Sequence, residues 1–348
     1  MAQGSLLLGR NLVYYGKNPD EEGNADDDTT SNYWLDMEGK WFGLRYCDCG
    51  KQFEKQIQCT RYNGVYGPVY WGSQKLADYK GWDELIKAKK LTKEEKEILI
   101  GMSENEGKLD SVQSYDSEIL TVGAMQKTVN PQGEGEFPVQ VQEFKASNPD
   151  KYKELFEECG WTVESNKMYY KDPDDTAATK ITRSTLKTKI RDGFVASKFK
   201  KKVECKPLEP IIKAAKDKDF QAKQVQDFIK RLNKVLLIKP VGHSYELKKY
   251  LKSKLGKATV LDQHINRPAY VDNDFGKALD NFFAAKDAEV KAFNKGKKEE
   301  DKKEKVSRNP EEWGTDHATY EKTILDDYGI NRRGSDMPKR YNRMLPKF

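Results

Sequence analysis

The segment Gly101-Met102-Ser103-Glu104-Asn105-Glu106-Gly107 holds a carboxylate where acid catalysis would want one. Upstream, Thr92-Lys93-Glu94-Glu95 has the pattern of a capping box, in which the Thr hydroxyl and the second Glu side chain satisfy free amides at a helix start. Ile98, Leu99 and Met102 then mark an apolar face, and Gly107 is a natural left-handed stop. Glu106 is therefore expected on the last turn of a helix. The partial negative charge of a helix C-terminus disfavours ionisation of a nearby carboxyl group and raises its pKa. A carboxylic acid still protonated near neutrality suits cleavage of a glycosidic bond, whose oxygen leaves poorly until it receives a proton. Glu104, two residues earlier on another helix face, is the rival acid.

Such chemistry needs a second carboxylate that stays ionised, to activate water or to stabilise a cationic sugar. Asp116 of Tyr115-Asp116 is the first candidate, with Asp110 and Glu118 behind it. An Asp at that place also reads as the cap of a turn. Gly123-Ala124-Met125-Gln126 reads as a turn that permits close backbone approach and offers one amide side chain to the hydroxyls or N-acetyl groups of a sugar.

These residues must be positioned by the elements around them. Before Trp82 the chain is β-like: an Asn- and Gly-rich acidic loop, Asn18 to Asn32, precedes alternating aromatic stretches at Tyr33-Trp34, Trp41 to Tyr46 and Tyr62 to Trp71. Its aromatics suit core packing or a sugar-binding surface. From Trp82 the pattern is helical. Asn148-Pro149 opens a helix with Tyr152, Leu155 and Phe156 on one face and Gly160 as its stop. Further helices are expected over Leu208 to Leu236, Ser244 to Leu255, Ala258 to Asn266 and Asp274 to Phe293. The Lys- and Glu-rich stretch Gly296 to Lys305 reads as a linker, and Trp313 to Phe348, with its Arg332-Arg333 and Lys339-Arg340 pairs, as a basic tail that docks or dangles. The expected organisation is a β-rich region over 1–82, a helical catalytic domain over 83–295, and a charged linker and tail over 296–348. The fold class is α+β, mainly α.

Composition narrows the setting. Charged residues form 34% of 348 and apolar ones 36%, but 18 Tyr, 14 Phe and 6 Trp give the chain anchors that a disordered polymer lacks. The net charge of +6 is a small difference between 62 basic and 56 acidic residues, so attraction to an anionic partner rests on local patches. No apolar run reaches the roughly 20 residues that span a bilayer, and the Leu6-Leu7-Leu8 stretch lacks a following cleavage site. Synthesis in the cytoplasm without a classical signal is expected, with action in the periplasm or outside the cell. Five cysteines are odd in number, so reduced thiols are expected; Cys47, Cys49 and Cys59 lack the partners of a metal site. No cofactor or metal is expected.

The run from Leu99 to Thr128 resembles the catalytic core of the lysozyme-like superfamily, especially goose-type lysozymes and soluble lytic transglycosylases. In these a helix-terminal Glu is followed by a Gly-x-Met-Gln turn, here Gly123-Ala124-Met125-Gln126. Asn105-Glu106-Gly107 and Tyr115-Asp116 resemble more closely the lysozyme-like modules of phage-tail and contractile-injection proteins. Leu261 to Pro268 is similar to a helix end that flanks the cleft in such modules. The likeness spans Lys90 to Lys286 and departs from the transglycosylase pattern, where Ser follows the catalytic Glu, while Gly107 follows here.

The resemblance implies a peptidoglycan hydrolase of muramidase type, with Glu106 and Asp116 catalytic and Tyr115, Gly123, Met125, Gln126, Asp262 and Asn266 binding substrate. Its partners would be glycan strands, and a tail or secretion-apparatus protein bound through the N-terminal region. A non-catalytic adaptor of such a particle, a chitosanase or chitinase, and a lytic transglycosylase are the alternatives. Lys198 to Lys202 offers a basic cluster with one aromatic, but no recognised nucleic-acid motif accompanies it.

Overall fold

In a computed structural model of the chain, the structure describes the backbone of 12–16, 32–36 and 41–44, and residues 56–175 and 177–348. Strands β1 (Leu12–Gly16), β2 (Asn32–Asp36) and β3 (Trp41–Leu44) pair antiparallel in chain order, with Trp34 opposite Tyr14 and Phe42. These strands cover the expected aromatic stretches at Tyr33-Trp34 and Trp41 to Leu44. Arg45, Tyr46, Cys47, Cys49 and most of the loop before Asn32 lie outside the described residues.

The element that positions the site is a second antiparallel sheet. Its strands, also in chain order, are β4 (Gln58–Tyr62), β5 (Val65–Tyr70), β6 (Val112–Gln113), β7 (Leu120–Val122) and β8 (Lys127–Val129). Between β5 and β6 the chain forms α1 (Trp82–Lys87) and α2 (Lys93–Ser103). The capping box at the start of α2 is real: Thr92 Oγ1 accepts from the Glu95 amide at 3.1 Å, and the Thr92 amide donates to Glu95 Oε2 at 2.7 Å. Because the sheet joins β4 and β5 to β6, it crosses the boundary expected at residue 82.

Alternation along these strands gives the sheet two unlike faces. Cys59, Tyr70, Val112, Leu120, Val122 and Val129 point into an apolar cluster completed by α3 (Glu136–Ser147), α4 (Pro149–Leu155), the hairpin β9 (Trp161–Glu164) and β10 (Lys167–Tyr170), α5 (Arg183–Arg191) and α6 (Glu209–Lys216). The other face carries Tyr62, Val65, Val69, Trp71, Gln113, Thr121 and Thr128.

Helix α7 (Lys218–Leu236) links that cluster to a second one. Phe220 packs in the first, and Val225, Phe228 and Leu232 in the second, with α1, α2, α8 (Leu247–Tyr250), α9 (Lys254–Asn266), α10 (Val271–Asn294), α11 (His317–Asn331) and α12 (Met337–Met344). The helix expected over Leu208 to Leu236 is thus two helices, broken at Asp217. Its carboxylate accepts from the amides of Asp219 and Phe220 and starts a new helix there. Of the two expectations for the C-terminal stretch, it docks and does not dangle: Trp313, Ile324, Leu325, Tyr328, Tyr341 and Met344 are core residues. Met337, Arg340, Tyr341 and Met344 form one buried stripe at helical spacing, and that stripe folds the segment onto the chain. Cys59 and Cys205 are free and buried, whereas Cys159 is disulfide-bonded, a departure from the expectation of reduced thiols. Among the described residues no helix is long and apolar enough to cross a membrane, and no cluster of metal-ligating side chains is present.

Candidate active site

Helix α2 ends at Ser103, three residues before Glu106, and the chain leaves it through two tight turns in which the Asn105 and Glu106 amides donate to the Met102 and Ser103 carbonyls. The Glu106 side chain turns inward and is only 2% exposed. Gln126 Nε2 donates to Glu106 Oε2 at 2.7 Å, and the Arg340 guanidinium pairs with Oε1. Burial pushes the Glu106 carboxyl up to about 7. The Arg340 charge opposes that rise, the Asp262 charge adds to it, and Arg231 pulls weakly downward. Desolvation of the charged form is thus the leading reason why Glu106 holds its proton near neutrality.

Behind Glu106 stands a buried ion-pair chain. Asp262, on α9, accepts from Arg340 Nη2 at 2.7 Å and from Arg332 Nη2 at 2.8 Å, and both Asp262 and Arg332 are fully buried. Asn105 ties the same group together: its amide donates to Asp262 Oδ1 at 3.2 Å and to the Arg340 carbonyl at 3.1 Å, while its own carbonyl accepts from Arg340 Nη1 at 3.0 Å. With both oxygens committed to arginines, Asp262 orients Arg340 and has no open side for a substrate. The expectation that Asp262 binds substrate is thereby corrected: its position makes it a support.

Gly107 lies against the second face of the sheet. A Cβ there would stand 2.6 Å from Ser111 Oγ and 3.2 Å from the Gly123 carbonyl. A side chain there would crowd both groups. The Gly123-Ala124-Met125-Gln126 turn joins β7 to β8 and is closed by the Gln126 amide on the Gly123 carbonyl at 3.0 Å. Gly123 has φ +74° and a Cβ would fall 2.1 Å from Gln224 Oε1, so both conformation and contact require glycine. Met125 is buried core, not a surface contact, and Gln126 is the member of the turn that reaches the acid.

No family model matches the chain, and neither curated proteins nor solved structures give a match. The site therefore rests on its own geometry.

The remaining expected residues divide. Glu104 caps the end of α2, is exposed, and pairs with Lys347 near the C-terminus, so it lacks the burial that sets Glu106 apart. Asp116 lies at the tip of the β6–β7 hairpin, where Oδ1 accepts from the Glu118 amide at 3.0 Å and Oδ2 from Gln113 Nε2 at 3.4 Å. It is not bonded to Glu106, and it does cap its turn, the role open to an Asp at that place. Asp110 is fully buried and accepts from Ser73, Gln74 and Tyr70, which makes it an anchor for the 73–74 loop. Tyr115 packs 6.3 Å from the rings of both Tyr62 and Trp71. Asn266 ends α9, and its side-chain Oδ1 accepts from the Ser335 amide at 3.4 Å. Arg340 and Arg332 escape sequence reasoning because their segment reads as a basic tail. The available signal is an Arg placed on the apolar stripe of α12, where a charge must find a buried partner.

Proposed function

We propose that the chain is a peptidoglycan-degrading glycoside hydrolase of the lysozyme-like kind, with Glu106 as general acid. The observation that carries this reading is a single carboxyl group held protonated near pH 7 by burial and bonded to Gln126. A buried acid of this kind still carries its proton near neutrality and can hand it to a sugar oxygen. The developing carboxylate is then met by the Arg340 guanidinium already in place, and Gln126 fixes the angle of the carboxyl plane.

Asp116 is the second carboxylate of this reading. It bonds Gln113, which shares a sheet face with Thr121 and lies two residues along the chain from Ser111, beside which Gly107 sits.

The test is digestion of purified peptidoglycan sacculi by the full chain and by Glu106→Gln, with mass analysis of the fragments. New reducing ends from the wild type, reduced about 10²- to 10⁴-fold in the variant, are expected. Anhydro ends would shift the reading to a lytic transglycosylase. Equal release by both proteins, or none by either, would overturn it.

A further inference from the structure

The exposed end of the second sheet face carries a feature that acid catalysis leaves unused. Tyr62 and Trp71 are 50% and 54% exposed, although both are large aromatics in or beside strands of an otherwise well-buried sheet. They are not scattered. Both rings lie 6.3 Å from the Tyr115 ring, at interplanar angles of 56° and 50°, so Tyr115 is the centre of a three-ring platform. Tyr115 backs onto Gly67, where a Cβ would fall 2.9 Å from the Tyr115 Cα and closer still to the Ser114 carbonyl. The Trp71 indole N–H is already satisfied by Gln58 Oε1 at 3.1 Å, which fixes the ring and leaves its face free.

Register joins this platform to Glu106. The Tyr70–Val112 pair places Trp71 beside Ser111. The Gly123 amide donates to the Ser111 carbonyl at 2.8 Å, and the Gln126 amide to the Gly123 carbonyl. Trp71, Ser111, Gly123 and Gln126 thus form one row across the sheet, and Gly107 rests on its Ser111–Gly123 centre. Three interstrand spacings separate Trp71 from Gln126, about 14 Å, a span of a few pyranose rings. Pyranose rings present flat C–H faces to aromatic surfaces and hydroxyls to flanking amides, here Gln58 and Gln113.

We propose that Tyr62, Trp71 and Tyr115 form a glycan-stacking subsite that holds the sugar strand on one side of the bond cleaved at Glu106. The inference rests on the proposed glycosidase reading for its ligand. The rings lie on the same sheet whose β7–β8 turn supplies Gln126 to Glu106, and that proximity selects the occupant. Arg61, the cation of β4, lies on the opposite face over Tyr66, away from the three rings.

Co-sedimentation of the full-length protein with purified sacculi tests the subsite, with the Glu106→Gln background used throughout so that the strands stay intact. Trp71→Ala and Tyr62→Ala should each weaken binding about tenfold, and the pair more. Phe199→Ala is the control: Phe199 is also exposed, but it packs on Tyr66 across the sheet and should leave binding unaltered. Unchanged binding in the Trp71 and Tyr62 variants overturns the subsite, as does equal loss with Phe199→Ala or no sedimentation of the parent protein. Salt-sensitive capture of single-stranded DNA by the same rings, in place of sacculi, overturns it too. Loss of binding in the Trp71 and Tyr62 variants, with sacculi digested equally by the wild type and Glu106→Gln, would keep the subsite and remove the acid.

Discussion

Arg340 pairs with Glu106 from a helix 234 residues further along the chain, and the same guanidinium grips Asp262. The acid is thus held at the meeting point of the chain's middle and its end. Burial keeps its carboxyl at about 7, against an ordinary 4.5, in spite of the arginine.

That placement predicts an alkaline limb in activity. Glu106 must be protonated to act, so kcat/KM on peptidoglycan should fall about tenfold per pH unit above 7, and Glu106→Gln should lack the limb. Stability tracks the same proton. The folded chain binds it between pH 4.5 and 7 where the unfolded chain releases it, so this group's contribution is complete below 4.5 and lost as pH rises through 7. The difference corresponds to about 3 kcal/mol. Thermal melting should find Glu106→Gln more stable than the wild type at pH 8, with the gap closing at pH 4.5.

Arg340→Met separates the two duties of the arginine. It leaves Asp262 with one guanidinium instead of two and should cost about 3–5 kcal/mol in chemical denaturation, the usual scale for breaking a buried pair. Because the Arg340 charge draws Glu106 downward, its removal should carry the alkaline limb of kcat/KM above 7. Arg340→Lys keeps charge but loses the fork, and should recover part of the stability. A limb that stays at 7 in Arg340→Met would remove the coupling.

The helix start before Glu106 and the turn that brings Gln126 to it are legible in the sequence because local signals mark them: the capping box at Thr92 and Glu95 sets the helix start, and a chain of Gly, Met and Gln needs only a hairpin to close. The expected helix runs on to Gly107, but the observed one stops at Ser103, where the turn toward the sheet begins. The buried arginines are not legible, because the Lys- and Glu-rich stretch before them has the composition of a linker whether or not a packed helix comes after it. Their partner Asp262 lies 70 and 78 residues away, and no local period reports such a pairing. The β-rich region fails as a separate unit for a related reason: the partner of β5 is β6, and the two helices between them hide the pairing.

Gly123→Ala isolates the demand of the turn. The φ of +74° costs a side chain about 1 kcal/mol or more, and the added Cβ overlaps Gln224 Oε1. A loss of about 2–4 kcal/mol in chemical denaturation is expected. Gly123→Ala combined with Gln224→Ala should return the part due to overlap and keep the part due to backbone strain. Full recovery in the double variant would show that conformation contributes nothing.

Asp116→Asn decides between cap and catalyst. Asparagine keeps the oxygen that accepts from the Glu118 amide, so the turn should hold and the melting temperature should stay within about 0.5 kcal/mol of wild type in free-energy terms. What it removes is the charge. If that charge activates water opposite Glu106, release of reducing ends should drop about 10²- to 10⁴-fold while binding to sacculi is retained. Asp116→Ala should add instability to the same loss, because the cap goes as well. Full activity in a stable Asp116→Asn protein would confine the residue to its turn and leave Glu106 without this partner.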